Sequence, residues 1–325
     1  FEVIRSLEIM NEIYENLEKY YVDDLNSGSM SKAAIDAMLK ELDPYTNYIP
    51  ESLIEDYKLM TTGQYGGIGA LIQQQGEKVV VSDPHEGYPA QKVGLLAGDQ
   101  FIEIDGKNVE ALSSSEISDK LKGKPGSELK LKVNRNGEIL EKTLVREEVK
   151  LSPVPYSGMV TDDIGYIKFT SFTQTAAKDV MAAFVNLKKE KGMKKLIFDL
   201  RDNGGGLLVE AVKIVNMFVN KGEEIVWMKG REAQNNVSYK ATMKPMDLNM
   251  PITVLVNGNS ASASEIVSGA LQDLDRAVIV GQTSFGKGLV QRPLDLKYNA
   301  KIKVTIAKYY TPSGRCIQKL DYTSR

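Results

Sequence analysis

The chain of 325 residues is 42% apolar and 26% charged, close to a globular average, which excludes a disordered or fibrous protein and leaves room for about two or three domains. Forty-one Lys and Arg against 43 Asp and Glu give a net charge of −2, without the single-sign excess of a nucleic-acid binder. His85 and Cys316 are the only residues of their kinds, so no His/Cys zinc cluster can be built, and no apolar run approaches the ~20 residues of a bilayer span.

The chain begins at Phe1 rather than Met, and the expectation is a fragment from which any signal peptide or anchor has been removed. Leu7, Met10, Ile13, Tyr14 and Leu17 recur at helical spacing. A second run follows Ser31 (Ala34, Ile35, Met38, Leu39, Leu42) and stops at Asp43-Pro44, because the residue before Pro disfavours the helical region. Residues 1–62 therefore read as a helical packing or dimerisation unit with no chemical cluster on it. From 63 to 149 the pattern changes to short strands punctuated by Gln75-Gly76, Asp105-Gly106 and Asn136-Gly137, with one helix at about Ser114–Lys122. Residues 150–325 alternate strands (Ile164–Phe169, Lys195–Leu200, Ile252–Val256, Ala277–Val280) with helices (Ala176–Lys189, Leu208–Val219, about Ser262–Asp273), the pattern of a layered α/β core.

Three segments of that last region could do chemistry. The strand Ile252–Val256 runs into Asn257-Gly258-Asn259-Ser260-Ala261-Ser262-Ala263-Ser264-Glu265, then a helix. Small residues there would let a serine hydroxyl stand exposed beside helix-start N–H groups, as a nucleophile requires, but a Ser-rich N-cap reads the same way. Gly281-Gln282-Thr283-Ser284-Phe285-Gly286-Lys287-Gly288 nearly matches a phosphate-binding loop. However, Gly288 replaces its hydroxyl residue and no helical pattern follows. A glycine-flanked lysine in a tight, desolvated turn would instead have a lowered pKa and serve as a general base. Asp199-Leu200-Arg201-Asp202-Asn203-Gly204-Gly205-Gly206 could complete an oxyanion hole, or it could be an ordinary strand–loop–helix connection.

Together these segments resemble the carboxyl-terminal processing (tail-specific) serine proteases. So do Asp43-Pro44-Tyr45-Thr46 and Tyr309-Tyr310-Thr311-Pro312-Ser313-Gly314-Arg315, while Tyr65-Gly66-Gly67-Ile68-Gly69 and Val93-Gly94-Leu95 with Gly98-Asp99 resemble the family's PDZ domain. The likeness covers nearly the whole chain in family order. It implies a multidomain α/β protein: N-terminal helices, a PDZ domain at 63–149 and a crotonase-like layered α/β protease core at 150–325. It also implies a Ser–Lys dyad with the serine 25 residues before the lysine, which selects Ser262 as nucleophile and Lys287 as base, with Gln291 as the lysine's orienting partner. Ala263 N–H, with Gly204 or Gly205 N–H, would form the oxyanion hole. Neither metal nor cofactor is implied.

The PDZ groove is expected to hold a peptide carboxylate on the N–H groups of Gly66, Gly67, Ile68 and Gly69, lined by Ile68, Ile117 and Leu121. The implied partners are protein or peptide substrates with apolar C-termini, and a homodimer through the N-terminal helices. The family's usual location outside the cytoplasm, in the periplasm or at the envelope, suits a chain with one thiol. The rival reading is an inactive PDZ adaptor on the same scaffold. Cys316 stands where a serine is common in the family, and many members carry further C-terminal helices. His85, in an Asp-Pro-His-Glu-Gly turn outside the core, is expected to be a surface loop residue.

Overall fold

A computed structural model describes residues 1–320 and 322. Three helices come first: α1 (Glu2–Tyr20), α2 (Ser27–Lys40) and α3 (Ile54–Thr62). No residue of α1 is buried, and Leu7, Met10 and Ile13 are exposed; that apolar side is the surface the expected homodimer would bury. Helix α2 starts before Ser31, because the Asn26 side chain accepts the Ser29 N–H at 3.0 Å and caps it. At Asp43-Pro44 the Asp43 carboxylate accepts the Tyr45 and Thr46 N–H groups, each at 2.7 Å. This turn directs the strand Asn47–Ile49 onto the strand Lys301–Tyr310. Among the described residues no helix is long and apolar enough to cross a membrane.

The β-rich region forms an antiparallel sheet in the order Ala70–Gln75, Lys78–Pro84, Gln100–Ile104, Glu128–Arg135, Glu138–Val145, with Lys107–Asn108 on the third strand. Asn136 and Gly137 have φ of 54° and 96°, the two left-handed positions of a tight hairpin turn. Helices α4 (Pro89–Lys92) and α5 (Ser114–Leu121) cover a core of its own that includes Val81, Leu95, Phe101 and Leu129. The strands Gln64–Gly67 and Glu147–Lys150 pair where the chain enters and leaves this region.

The remainder is built on two sheets. One runs Tyr156–Met159, Ile164–Lys168, Lys195–Asp199, Ile252–Val256, Val278–Gly281, with the last four strands parallel. Helices α6 (Ala176–Val185), α7 (Leu208–Asn216) and α8 (Ala263–Asp273) connect them. Helix α6 is shorter than its pattern suggests and finishes in a π-type turn over Asn186–Glu190. The other sheet is antiparallel: Asn47–Ile49, Lys301–Tyr310, Glu224–Gly230 and Val237–Lys240, with Leu289–Asp295 on the long strand. Leu289–Asp295 tolerates Pro293 because it pairs on one side only.

Two consequences place the site. The Gly204–Gly206 loop and the Ser260–Ser264 turn leave the C-terminal ends of adjacent parallel strands, where α/β sheets bind ligands. The Lys287 loop is the crossing from one sheet to the other.

Candidate active site

The three serines of the turn have different surroundings. Ser260 is buried; its Oγ donates to Leu200 O at 2.8 Å and accepts Asn257 N–H at 2.9 Å. Ser264 is buried too, and its Oγ donates to Asn203 O at 2.8 Å. Ser262 alone is half-buried and lines a cleft of about 420 Å³. Its backbone has φ 57° and ψ −112°, a sparsely populated conformation for a residue with a Cβ that costs about 1–3 kcal/mol. A strained strand-to-helix turn of this kind holds a hydroxyl out from the sheet.

The glycine loop closes against this turn. Gly205 has φ 99°, and a Cβ there would lie 2.7 Å from Ala261 O and 2.9 Å from Ser262 Cβ, so only glycine fits. Asn203, fully buried, knits the two segments: its carbonyl accepts Ala261 N–H at 3.0 Å, and its Oδ1 accepts Gly205 N–H at 3.0 Å. Gly205 N–H is therefore committed inside the loop and is no oxyanion donor. The N–H groups of Gly204 and Ala263 make no hydrogen bond within the described residues, and both residues line the cleft. Behind the loop, Asp199 accepts Arg201 Nε at 2.9 Å and Tyr166 OH at 2.6 Å. Burial opposes its ionisation, yet these donors hold its pKa down at about 2.

Lys287 also lines the cleft. Burial chiefly, then repulsion from Lys303, lowers its pKa to about 8 against the opposing pull of Asp43 and Glu265. Its Nζ makes no hydrogen bond to Ser262 among the described residues and lies 4.7 Å from the Tyr45 ring centroid. The flanking glycines are needed for packing: a Cβ on Gly288 would lie 2.5 Å from Gln318 N.

Two residues bind the serine and lysine loops to each other. Glu265, 2% exposed, accepts Ser262 N–H and Lys287 N–H on one oxygen, each at 2.8 Å. Its other oxygen accepts Ser284 Oγ and Gly286 N–H, each at 2.7 Å. The buried Tyr309 hydroxyl is shared between the carbonyls of Ser262 (3.0 Å) and Lys287. Gln291 lines the cleft, but its Nε2 donates to Thr305 Oγ1 at 3.3 Å, not to Lys287, because the strand register sets Gln291 opposite Thr305. The expected orienting contact is not made.

The model of peptidase family S41 matches residues 163–323, and that of the PDZ domain matches residues 66–144. A carboxy-terminal-processing protease of Bartonella bacilliformis is 37% identical over 98% of this chain and 74% of its own length. The chain belongs to this protease family. A protein described as a probable CtpA-like serine protease in Staphylococcus aureus (strain MRSA252) is 34% identical over 96% of the chain, which spans 62% of that relative's length. The solved structure of a photosystem II D1 C-terminal processing protease superposes with a TM-score of 0.54 at 30% identity, covering 95% of this chain and 87% of that one.

In the PDZ domain, Gly66 N–H donates to the Glu55 carboxylate at 3.0 Å, so it is not a free receptor group. The N–H groups of Ile68 and Gly69 make no hydrogen bond among the described residues. Gly67 lies in the strand paired with Glu147–Lys150. Ile68, Ile117 and Leu121 are buried in the domain's core rather than standing in an open groove. His85 is half-buried in its turn, 3.6 Å from Asp83, and does not line the cleft.

The N-terminal residues, read from sequence as free of chemistry, wall the cleft. Tyr57, Met60 and Thr61 of α3 line it, and Tyr45 underlies Lys287. For Glu265 the signal was present, an acid three residues after a serine at a helix start. For Tyr45 no local pattern marks a contact with a lysine more than 200 residues away, and for Lys303 none marks an approach to Lys287 from the next strand.

Proposed function

We propose that this chain is a serine endopeptidase of protein substrates, working through Ser262 and Lys287 by an acyl-enzyme route. The neutral Lys287 amine takes the proton from Ser262 Oγ as the oxygen attacks the scissile carbonyl. The resulting oxyanion is held by the N–H groups of Gly204 and Ala263. Collapse breaks the C–N bond, and Lys287 returns its proton to the leaving amine. A water molecule, deprotonated by the same amine, then hydrolyses the ester and frees Ser262.

One observation carries this reading: the strained Ser262 turn and a lysine desolvated to a pKa of about 8 share one cleft. Apo geometry is commonly looser than the reacting complex, so the missing Ser262–Lys287 bond does not weigh against it. Gln291 is assigned to the wall of the cleft. We divide the chain into residues 1–62, 63–149 and 150–325, and assign the middle part to capture of substrate C-termini on Ile68 and Gly69 N–H. We place the site of action outside the cytoplasm on the family's usual location, with which the single thiol is compatible.

The test is the product mass spectrum of an unfolded protein incubated with each variant. Ser262→Ala loses activity by orders of magnitude, up to about a millionfold. Ser260→Ala and Ser264→Ala lose buried hydrogen bonds worth about 1–3 kcal/mol of stability but still cleave. An active Ser262→Ala would overturn the assignment of Ser262 as nucleophile, and a wild type that yields no products would favour the inactive-adaptor reading.

A further inference from the structure

Among the described residues lining the cleft, only Lys287 and Lys303 carry charge, and both are cations; no Asp or Glu lines it. Lys287 has a task in the reaction proposed above. Lys303 does not. It sits in the strand Lys301–Tyr310 opposite Pro293 on one side and Asn47 on the other, half-buried. Its ammonium has no hydrogen bond or ion pair with any described residue, and burial lowers its pKa with no carboxylate to pull it back.

The neighbouring acids are already engaged. Asp295 pairs with Lys301. On α3, Glu55 holds Lys58 and Gly66 N–H, Asp56 pairs with Lys122, and the residues facing the cleft are the uncharged Tyr57, Met60 and Thr61. A half-buried cation without a partner among the described residues costs stability, and such costs persist where function uses them. The rest of the cleft is uncharged, with Ile266, Leu289 and Val290 among its apolar walls.

We propose that Lys303 is a specificity residue whose ammonium receives a carboxylate of the peptide bound in the cleft, from an Asp or Glu side chain or from the chain's own C-terminus. This rests on the peptidase reading above. A charge-assisted bond in a desolvated site discriminates strongly against a neutral isostere, whose binding leaves the ammonium buried and unpaired.

The experiment uses the full chain and three internally quenched peptides of one sequence: internal Asp with an amidated end, internal Asn with an amidated end, and internal Asn with a free end. Wild type is expected to prefer one of the carboxylate peptides over the neutral one by about tenfold or more in kcat/KM, with the difference residing in KM. The peptide whose advantage falls in Lys303→Met identifies which carboxylate Lys303 reads, because any preference of the PDZ domain for a free end persists in that variant. Lys303→Met, which keeps the stem but not the charge, should cut the preference at least about threefold relative to wild type, and Lys303→Arg should restore most of it. The PDZ contribution is common to all three proteins and cancels in the comparison. A purely structural role would slow all peptides alike and leave the ratio intact, which overturns this inference alone. Failure of wild type to cleave any peptide overturns the peptidase reading, and this inference with it.

Discussion

The cleft and the PDZ loop both offer backbone N–H groups to a ligand, yet they stand in opposite states. In the cleft the Gly204 and Ala263 N–H groups are unbonded among the described residues, and Ser262 lines open space. In the PDZ domain Gly66 N–H is taken by Glu55, and Ile68, Ile117 and Leu121 are 3%, 1% and 4% exposed. The cleft is fixed by groups that cannot yield cheaply. Asn203, Glu265 and Tyr309 are buried and fully engaged, and they tie the ends of two parallel strands to the crossing loop. The PDZ receptor lies between a strand and the two-turn helix α5, whose apolar side chains fill one another's space. The cleft is thus preorganised, whereas the PDZ side chains expected to line a groove are packed into the domain's own core.

The first way to break this contrast is at Glu265. Glu265→Ala leaves four donors without their acceptor, at about 1–3 kcal/mol for each one that water cannot reach. Activity should fall by about a thousandfold or more, with a lowered Tm. Glu265→Gln keeps the shape but points an NH2 at two donors, so its loss of activity should be smaller and its Tm closer to wild type. Peptide hydrolysis and calorimetry on both variants check this. A fully active Glu265→Ala would mean the cleft is not locked through that carboxylate.

A smaller effect sharpens the other side. Glu55→Ala frees Gly66 N–H, and one further donor is worth about 0.5–1.5 kcal/mol. Anisotropy titrations on full-length Ser262→Ala should show the preference for a free-acid over an amidated peptide rising by about two- to tenfold. No change would exclude Gly66 from the receptor.

Much of the core was legible in the sequence because its signals are local. Alternating strands and helices, Asn136-Gly137 and the small residues around Ser262 each dictate a backbone conformation within a few positions. Strain and burial then separate Ser262 from Ser260 and Ser264, a choice that the residue pattern alone left open. What stayed hidden depends on register and on distant approach. Gln291 bonds Thr305 because two strands align that way, and Gly205 N–H turns inward to Asn203. Tyr45 reaches Lys287 only because Thr46 Oγ accepts Thr305 N–H at 3.1 Å, docking the N-terminal turn on a strand 259 residues away. A lysine without a counter-ion among the described residues, as at 303, likewise has no sequence signature.

In the proposed reaction a neutral Lys287 activates Ser262. The most direct test of this step is the rate of covalent labelling of Ser262 by a serine-directed acylating or phosphonylating reagent, followed by mass spectrometry from pH 5 to pH 10. The amine is competent only without its proton, and its pKa is lowered to about 8 by burial and Lys303. The rate should therefore rise about tenfold per pH unit below 8 and level off above it. In Lys287→Arg it should stay low throughout, since a guanidinium does not deprotonate in this range. A rate independent of pH, undiminished labelling in Lys287→Arg, or modification of Ser260 or Ser264 instead would contradict the account.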